Sequence, residues 1–279
     1  MGTSKGYGGP ASGLVPSWID DVAPGAGAAP ANPDNDGGVA SPMPGPAPAA
    51  VPSTGSLGSA RSNFTRFVRG GDGAALGRAV SQYVRQGTGG SGGAARRMGT
   101  SRAVGSQLLG VIRDFQRDGI PTTLQRFNLA ELSGRPATDV FLALTEVMCP
   151  PGGRVDEAIA RQAMLDTIAE LAEQGVGEFG DLTPDQLKEF FLGFVVHTIE
   201  GRVMADLGHR AIELPDSIAE VEAIQEQLHD FIDGTVRAHV GEMLNDLPDK
   251  TTDAAIGELV DSIYGASFDL LAATAGDVE

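Results

Sequence analysis

From about residue 99 to the end of the chain, apolar residues recur at the three- and four-residue spacing of an α-helix. No segment shows the strict alternation of a strand, so the pattern predicts an all-α fold. Val104, Leu108, Leu109, Val111, Ile112 and Phe115 mark one helix. Val140, Phe141, Leu144, Val147 and Met148 mark another, with Thr138 as its expected cap and Cys149-Pro150-Pro151-Gly152-Gly153 as its end. A third carries Val155, Ile159, Met164, Ile168, Leu171 and Ala172 and stops at Gly175. Thr183-Pro184-Asp185-Gln186 combines a cap, a proline at the first helical position and a glutamine at the third. It opens a helix through Leu187, Phe190, Phe191, Phe194, Val195 and Ile199. Ser217 with Glu220 predicts a second capping box, before Val221, Ile224, Leu228, Phe231, Ile232 and Val236. Ile256, Leu259, Val260, Ile263, Phe268 and Leu271 complete the series.

Ahead of this lies a different kind of chain. Gly, Ala, Pro and Ser make up 40 of the first 60 residues, which also hold 10 of the 17 prolines. Such a segment buries too little apolar surface to offset its conformational entropy and is expected to be disordered. The expected architecture is a helical bundle-like domain preceded by a long disordered Gly/Pro/Ala-rich N-terminal tail. Residues 1–60 are the tail, with a short motif at 14–21 that contains the only tryptophan, Trp18. Residues 61–97 are a basic helical segment and a Gly-rich hinge, and residues 98–279 an acidic all-helical domain. Within the middle segment, Gly70-Gly71-Asp72-Gly73 breaks the helical pattern into two short helices. The stretch Gly87-Thr88-Gly89-Gly90-Ser91-Gly92-Gly93 reads as a hinge or a tight contact. No apolar strand precedes it and no Gly-Lys-Ser/Thr ends it, which argues against a phosphate loop.

The net charge of −17 is unevenly spread. Residues 61–135 hold 12 arginines and 4 acids, whereas 136–279 carry 29 acids against 7 bases. A basic block of this size can bind nucleic acid or an acidic partner. It lacks a Lys-rich tail and a known nucleic-acid motif, so neutralisation within the chain or its complex is the favoured reading.

Catalytic signals are few. The lone Cys149 excludes an internal disulfide framework and a Cys-built zinc site, and is expected to be buried or half-buried. Of His197, His209, His229 and His239, none pairs with another at helical spacing. His197 and Glu200 lie one turn apart, but two groups do not make a metal site, so no metal ligand is expected. The carboxylates fall mostly on solvated helix faces. No nucleophile elbow, kinase set or dinucleotide fingerprint is present. No catalytic residue and no cofactor is therefore expected. There is no apolar run long enough to span a membrane and no secretory start, so a cytoplasmic location is expected.

The chain opens Met1-Gly2-Thr3-Ser4-Lys5, and Met98-Gly99-Thr100-Ser101-Arg102 echoes it. A small residue at position 2 predicts removal of Met1, which exposes a glycine amine on an open tail, and terminal amines are captured by a known recognition mode. Met1-Gly2-Thr3-Ser4 with Tyr7-Gly8-Gly9-Pro10, then Leu14-Val15-Pro16-Ser17-Trp18, then Tyr83-Val84-Arg85 and the Gly-rich stretch running to Ala95-Arg96-Arg97-Met98-Gly99 together resemble the QatB family. That family belongs to the bacterial Qat anti-phage defence system. The resemblance is specific over roughly the first 110 residues, and beyond them agrees only in helical type. It implies a non-catalytic component whose companions are an ATPase, an enzyme similar to QueC synthases and a TatD-like nuclease. It further implies Gly2 as acceptor of a deazaguanine-type group, with Thr3 and Ser4 as recognition residues. Trp18 is a candidate second anchor. The alternative is an adaptor that brings DNA to the nuclease through the Arg-rich segment, with Arg85, Arg96, Arg97 and Arg102 as candidate basic contacts. No membrane partner is expected.

Overall fold

The glycine break at 70–73 separates the first two helices of the computed structural model, which describes residues 56–151, 154–208, 217–244 and 251–274. Helix α1 spans Gly58–Gly70 and ends where Gly71 takes a left-handed conformation, φ 65°. Helix α2 spans Gly73–Gln82, and the Asp72 carboxylate caps it by accepting from the Ala74 N–H. The chain then makes a wide turn at Tyr83–Gly87 and enters the short α3, Ser91–Arg97. Seven further helices follow: α4 Gly99–Asp118, α5 Ile120–Arg126, α6 Ala137–Met148, α7 Val155–Glu173, α8 Pro184–Leu207, α9 Ile218–Val240 and α10 Asp253–Ala273. Among the described residues there is no strand, only a single bridge between Pro136 and Glu178. The all-α expectation holds. The tail expected at the N-terminus and the motif at 14–21 lie outside the described residues. Gly58 to Ala60, at the edge of that expected tail, already belong to α1.

Helix α8 is the structural axis. Leu187, Phe190, Phe191, Leu192, Phe194, Val195, Val196, Ile199, Val203 and Leu207 are all buried, so the helix is apolar on nearly every side. A helix of that kind must be surrounded, and α8 packs against α7, α9, α4 and α1. Phe141 of α6 stacks on Phe190 with ring centres 3.7 Å apart, and Phe179 meets both Phe115 and Phe141 edge-on. Helix α10 packs on α2, α3, α4 and α9. Phe64, Phe67, Tyr83, Met98, Phe194 and Phe268 belong to one continuous core, so the basic segment and the acidic remainder share it.

The capping expectations fare unequally. Thr183 and Gln186 form the reciprocal box at the start of α8, with Pro184 at the first position. Ser217 does occupy the cap position of α9, yet its side chain makes no capping hydrogen bond. Thr138 does not cap α6: the helix already begins at Ala137, with Pro136 at the cap position, two residues before Thr138. The Pro136–Glu178 bridge and the Ala137 N–H to Gly177 carbonyl bond, 3.1 Å, fix the chain before Thr138 is reached. No helix among the described residues is long and apolar enough to cross a membrane.

Candidate functional site

Gly2, Thr3, Ser4 and Trp18 lie outside the described residues. The four arginines singled out in the sequence divide into two kinds. Arg85 and Arg96 are exposed. Arg97 pairs with Asp206 at 3.1 Å, and Arg102 donates to Asp261 at 2.6 Å and to the Ala95 carbonyl at 3.3 Å. Charge neutralisation inside the fold extends further. Arg78 pairs with Asp72, Arg135 with Asp139, and Arg117 and Arg126 with Asp114 and Asp118. Arg113, nearly buried, bridges Asp114 and Asp253 and donates to the Thr251 carbonyl at 2.6 Å.

The Gly-rich turn is filled by its own backbone. The Thr88 hydroxyl donates to the Val84 carbonyl at 2.8 Å, and a Cβ placed on Gly93 would sit 1.8 Å from the Thr88 carbonyl oxygen. That crowding excludes a side chain at Gly93 and makes the turn a tight contact of the chain with itself. The second Met-Gly-Thr-Ser copy is no tail: Met98 and Ser101 are buried and α4 begins at Gly99.

The most concentrated polar chemistry among the described residues lies where α7, α8 and α9 meet. Helix α8 contributes His197 and Glu200, one turn apart. Gly193 and Gly201 flank them, and a Cβ on either would come within 3.1 Å of Thr167 or Ile159 of α7. Those two glycines therefore let α7 approach closely enough to set Glu170 against His197, with its carboxylate 2.8 Å from Nε2. Helix α9 adds His229, whose ring stacks beside that of His197 at a centre-to-centre distance of 4.9 Å. The four groups interlock. Glu200 Oε2 lies 3.5 Å from His197 Nδ1 and 3.1 Å from His229 Nδ1, while Glu170 Oε1 lies 2.8 Å from His197 Nε2 and 3.7 Å from His229 Nε2. Among the described residues, Glu170, His197 and His229 form a group whose ligand atoms lie within 4.8 Å of one another.

Burial alone would lower the His197 pKa, but the Glu170 and Glu200 carboxylates outweigh it and hold it up at about 9. The Glu200 hydrogen bond raises His229, against burial and the neighbouring imidazole. Glu170 is lowered first by its bond to His197. Glu200 is lowered too, its two histidine partners overcoming the burial that opposes ionisation. Arg237, held by Asp233 and Glu189, adds a further positive charge near Glu170. A cleft of about 390 Å³ opens beside His197 and Glu200, bordered by Ile159, Met204 and Gln225. The arrangement can hold a cation, or close on itself as a ring of two imidazoliums and two carboxylates. Sequence spacing reached only His197 and Glu200; Glu170 and His229 arrive from other helices and carry no local signal. His239 is exposed, and His209 lies outside the described residues.

No curated protein and no solved structure matches the chain. A family model does, described as Qat anti-phage system associated protein QatB, over residues 89–271. The matched span runs from the Gly-rich turn before α3 to near the end of α10; it covers α3 to α9, most of α10 and both histidines of the cluster, while α1 and α2 lie ahead of it. The motifs that carry the resemblance in the sequence lie mostly ahead of it. The chain belongs to the QatB family and is thereby a component of a Qat anti-phage defence system.

Proposed function

We propose that the chain is a non-catalytic, cytoplasmic component of its Qat system, in which the helical body docks on a companion and Gly2 accepts a deazaguanine-type group from the QueC-like enzyme. Thr3 and Ser4 are the recognition residues of that acceptor, and Trp18 is a second anchor. The ATPase and the TatD-like nuclease are the other companions. The observation that carries this reading is the family match over 89–271, whose description is that of an associated protein. The disposition of polar side chains supports it. Tyr83, Arg97 and Arg202 all engage the Asp206 carboxylate, and the buried Tyr264 and Thr198 hydroxyls pair at 2.7 Å. These groups are spent on holding helices together. A Gly/Pro/Ala tether suits an acceptor, because it reaches a cleft at little steric cost, and docking raises its effective concentration there.

The test is Gly2→Leu in the intact operon. A large residue at position 2 retains Met1 and removes the free glycine amine. Phage protection is expected to be lost while the variant still co-purifies with its companions. Full protection by Gly2→Leu would overturn the acceptor role.

A further inference from the structure

The two imidazoles of the α7–α8–α9 cluster are turned the same way. Each presents Nδ1 to one oxygen of Glu200, at 3.5 and 3.1 Å, and Nε2 to one oxygen of Glu170, at 2.8 and 3.7 Å. With the Nδ1 protons held by Glu200, an incoming cation displaces the Nε2 proton that His197 presents to Glu170 and takes up the Nε2 lone pairs, the usual outer arrangement of metal-binding histidines. We propose that Glu170, His197 and His229 form a binding site for a zinc-class divalent cation, with Glu200 orienting both imidazoles.

The geometry is close to what such an ion requires. Bonds of about 2.0–2.2 Å to imidazole nitrogen and carboxylate oxygen in a tetrahedron place ligand atoms roughly 3.4 Å apart. The two Glu170 contacts, 2.8 and 3.7 Å, bracket that value, and no pair in the group exceeds 4.8 Å. The rings, stacked at 29° to each other, swing about their side-chain bonds to turn both Nε2 atoms toward one centre, which leaves the fourth position to water. Two imidazoles with a single carboxylate favour zinc and its neighbours over calcium or magnesium, which take oxygen ligands. An access route exists, since the side chains of Glu170 and His229 are 36% and 26% exposed. Each ligand comes from a different helix, so the ion would cross-link α7, α8 and α9 around the close α7–α8 contact. This site is independent of the acceptor role of Gly2.

The experiment uses the full chain, stripped with a chelator and titrated with zinc by calorimetry. One equivalent is expected to bind and to raise the thermal midpoint. His229→Gln, with its helical circular dichroism intact, is expected to abolish that binding, and His239→Gln to leave it unchanged. Glu200→Gln is expected to weaken binding by about 10–100-fold. X-ray absorption on the zinc-loaded wild-type chain needs no variant and is expected to show two imidazole nitrogens. Absence of stoichiometric binding, binding that survives His229→Gln, or an all-oxygen shell would each overturn the site and leave a hydrogen-bonded cluster only.

Discussion

Arg97 and Asp206 meet at 3.1 Å across 109 residues of chain, and the pair joins the basic segment to the acidic half. The same carboxylate accepts the Tyr83 hydroxyl at 2.9 Å, and the Asp206 backbone carbonyl accepts from Arg61 at 2.9 Å. Burial and the Asp206 charge push the Tyr83 hydroxyl far above the ordinary tyrosine range, so it stays a donor at any working pH. Arg102 with Asp261 and Arg113 with Asp253 add two more pairs that cross from the basic segment to the acidic half.

Asp206→Ala removes the acceptor of a buried hydroxyl and the partner of Arg97 together. The expected loss of stability is about 2–3 kcal/mol in urea unfolding. Tyr83→Phe removes the donor with the acceptor still engaged by Arg97, and should cost about 1 kcal/mol. Equal losses from the two variants would contradict this account of Asp206.

Gly93→Ala forces a Cβ into the Thr88 carbonyl, 1.8 Å away. Overpacking against backbone that has no room to yield is expected to cost about 3 kcal/mol, with the thermal midpoint falling accordingly. Gly257→Ala meets nothing within 4 Å in the first turns of α10 and is expected to stabilise by about 0.5–1 kcal/mol through helix propensity.

The histidine cluster gives the metal-free protein a pH signature, measured with a chelator present. His197 is raised from 6.5 to about 9, so its contribution is complete below pH 6.5 and is lost as the pH rises through about 9. Glu170 and Glu200 are lowered from 4.5, so theirs is complete above 4.5 and is lost as the pH falls through the depressed values. The cluster therefore stabilises most between about pH 5 and 6.5. Replacing His197 by Gln is expected to flatten the decline between pH 6.5 and 9 in a series of urea midpoints. An unchanged slope would show that the ring of charges contributes nothing.

Of the arginines in the basic block, Arg66, Arg85 and Arg96 are exposed and make no ion pair among the described residues. With so few free cations, binding to duplex DNA should be weak, with a log–log salt slope no steeper than about −3. A slope of about −6 or beyond would favour the adaptor reading.

Sequence pattern reached the parts of this fold that are decided locally. Thr183, Pro184 and Gln186 form their box because all three lie within one turn, and Gly71 stops α1 through its own backbone. Thr138 was misleading because the contact that fixes the start of α6 comes from residues 177 and 178, some 40 positions away. The same limit hid the histidine cluster. His197 and Glu200 share a helix face and are legible as a pair, whereas Glu170 reaches them through the close α7–α8 packing that Gly193 and Gly201 permit, and His229 through the packing of α9 on α8. Family resemblance and family match also fall on different stretches. The Gly- and Pro-rich motifs lie mostly before residue 89, while the family match runs through the helices from α3 to α10.

The proposed acceptor role of Gly2 is tested most directly by the mass of the N-terminal peptide, taken from chain purified out of an active operon and compared with an operon whose proposed QueC-like companion is inactivated. The expected result is a peptide beginning at Gly2 that carries a deazaguanine-type addition only when that enzyme is active. An unmodified Gly2 terminus in a protective operon would contradict it.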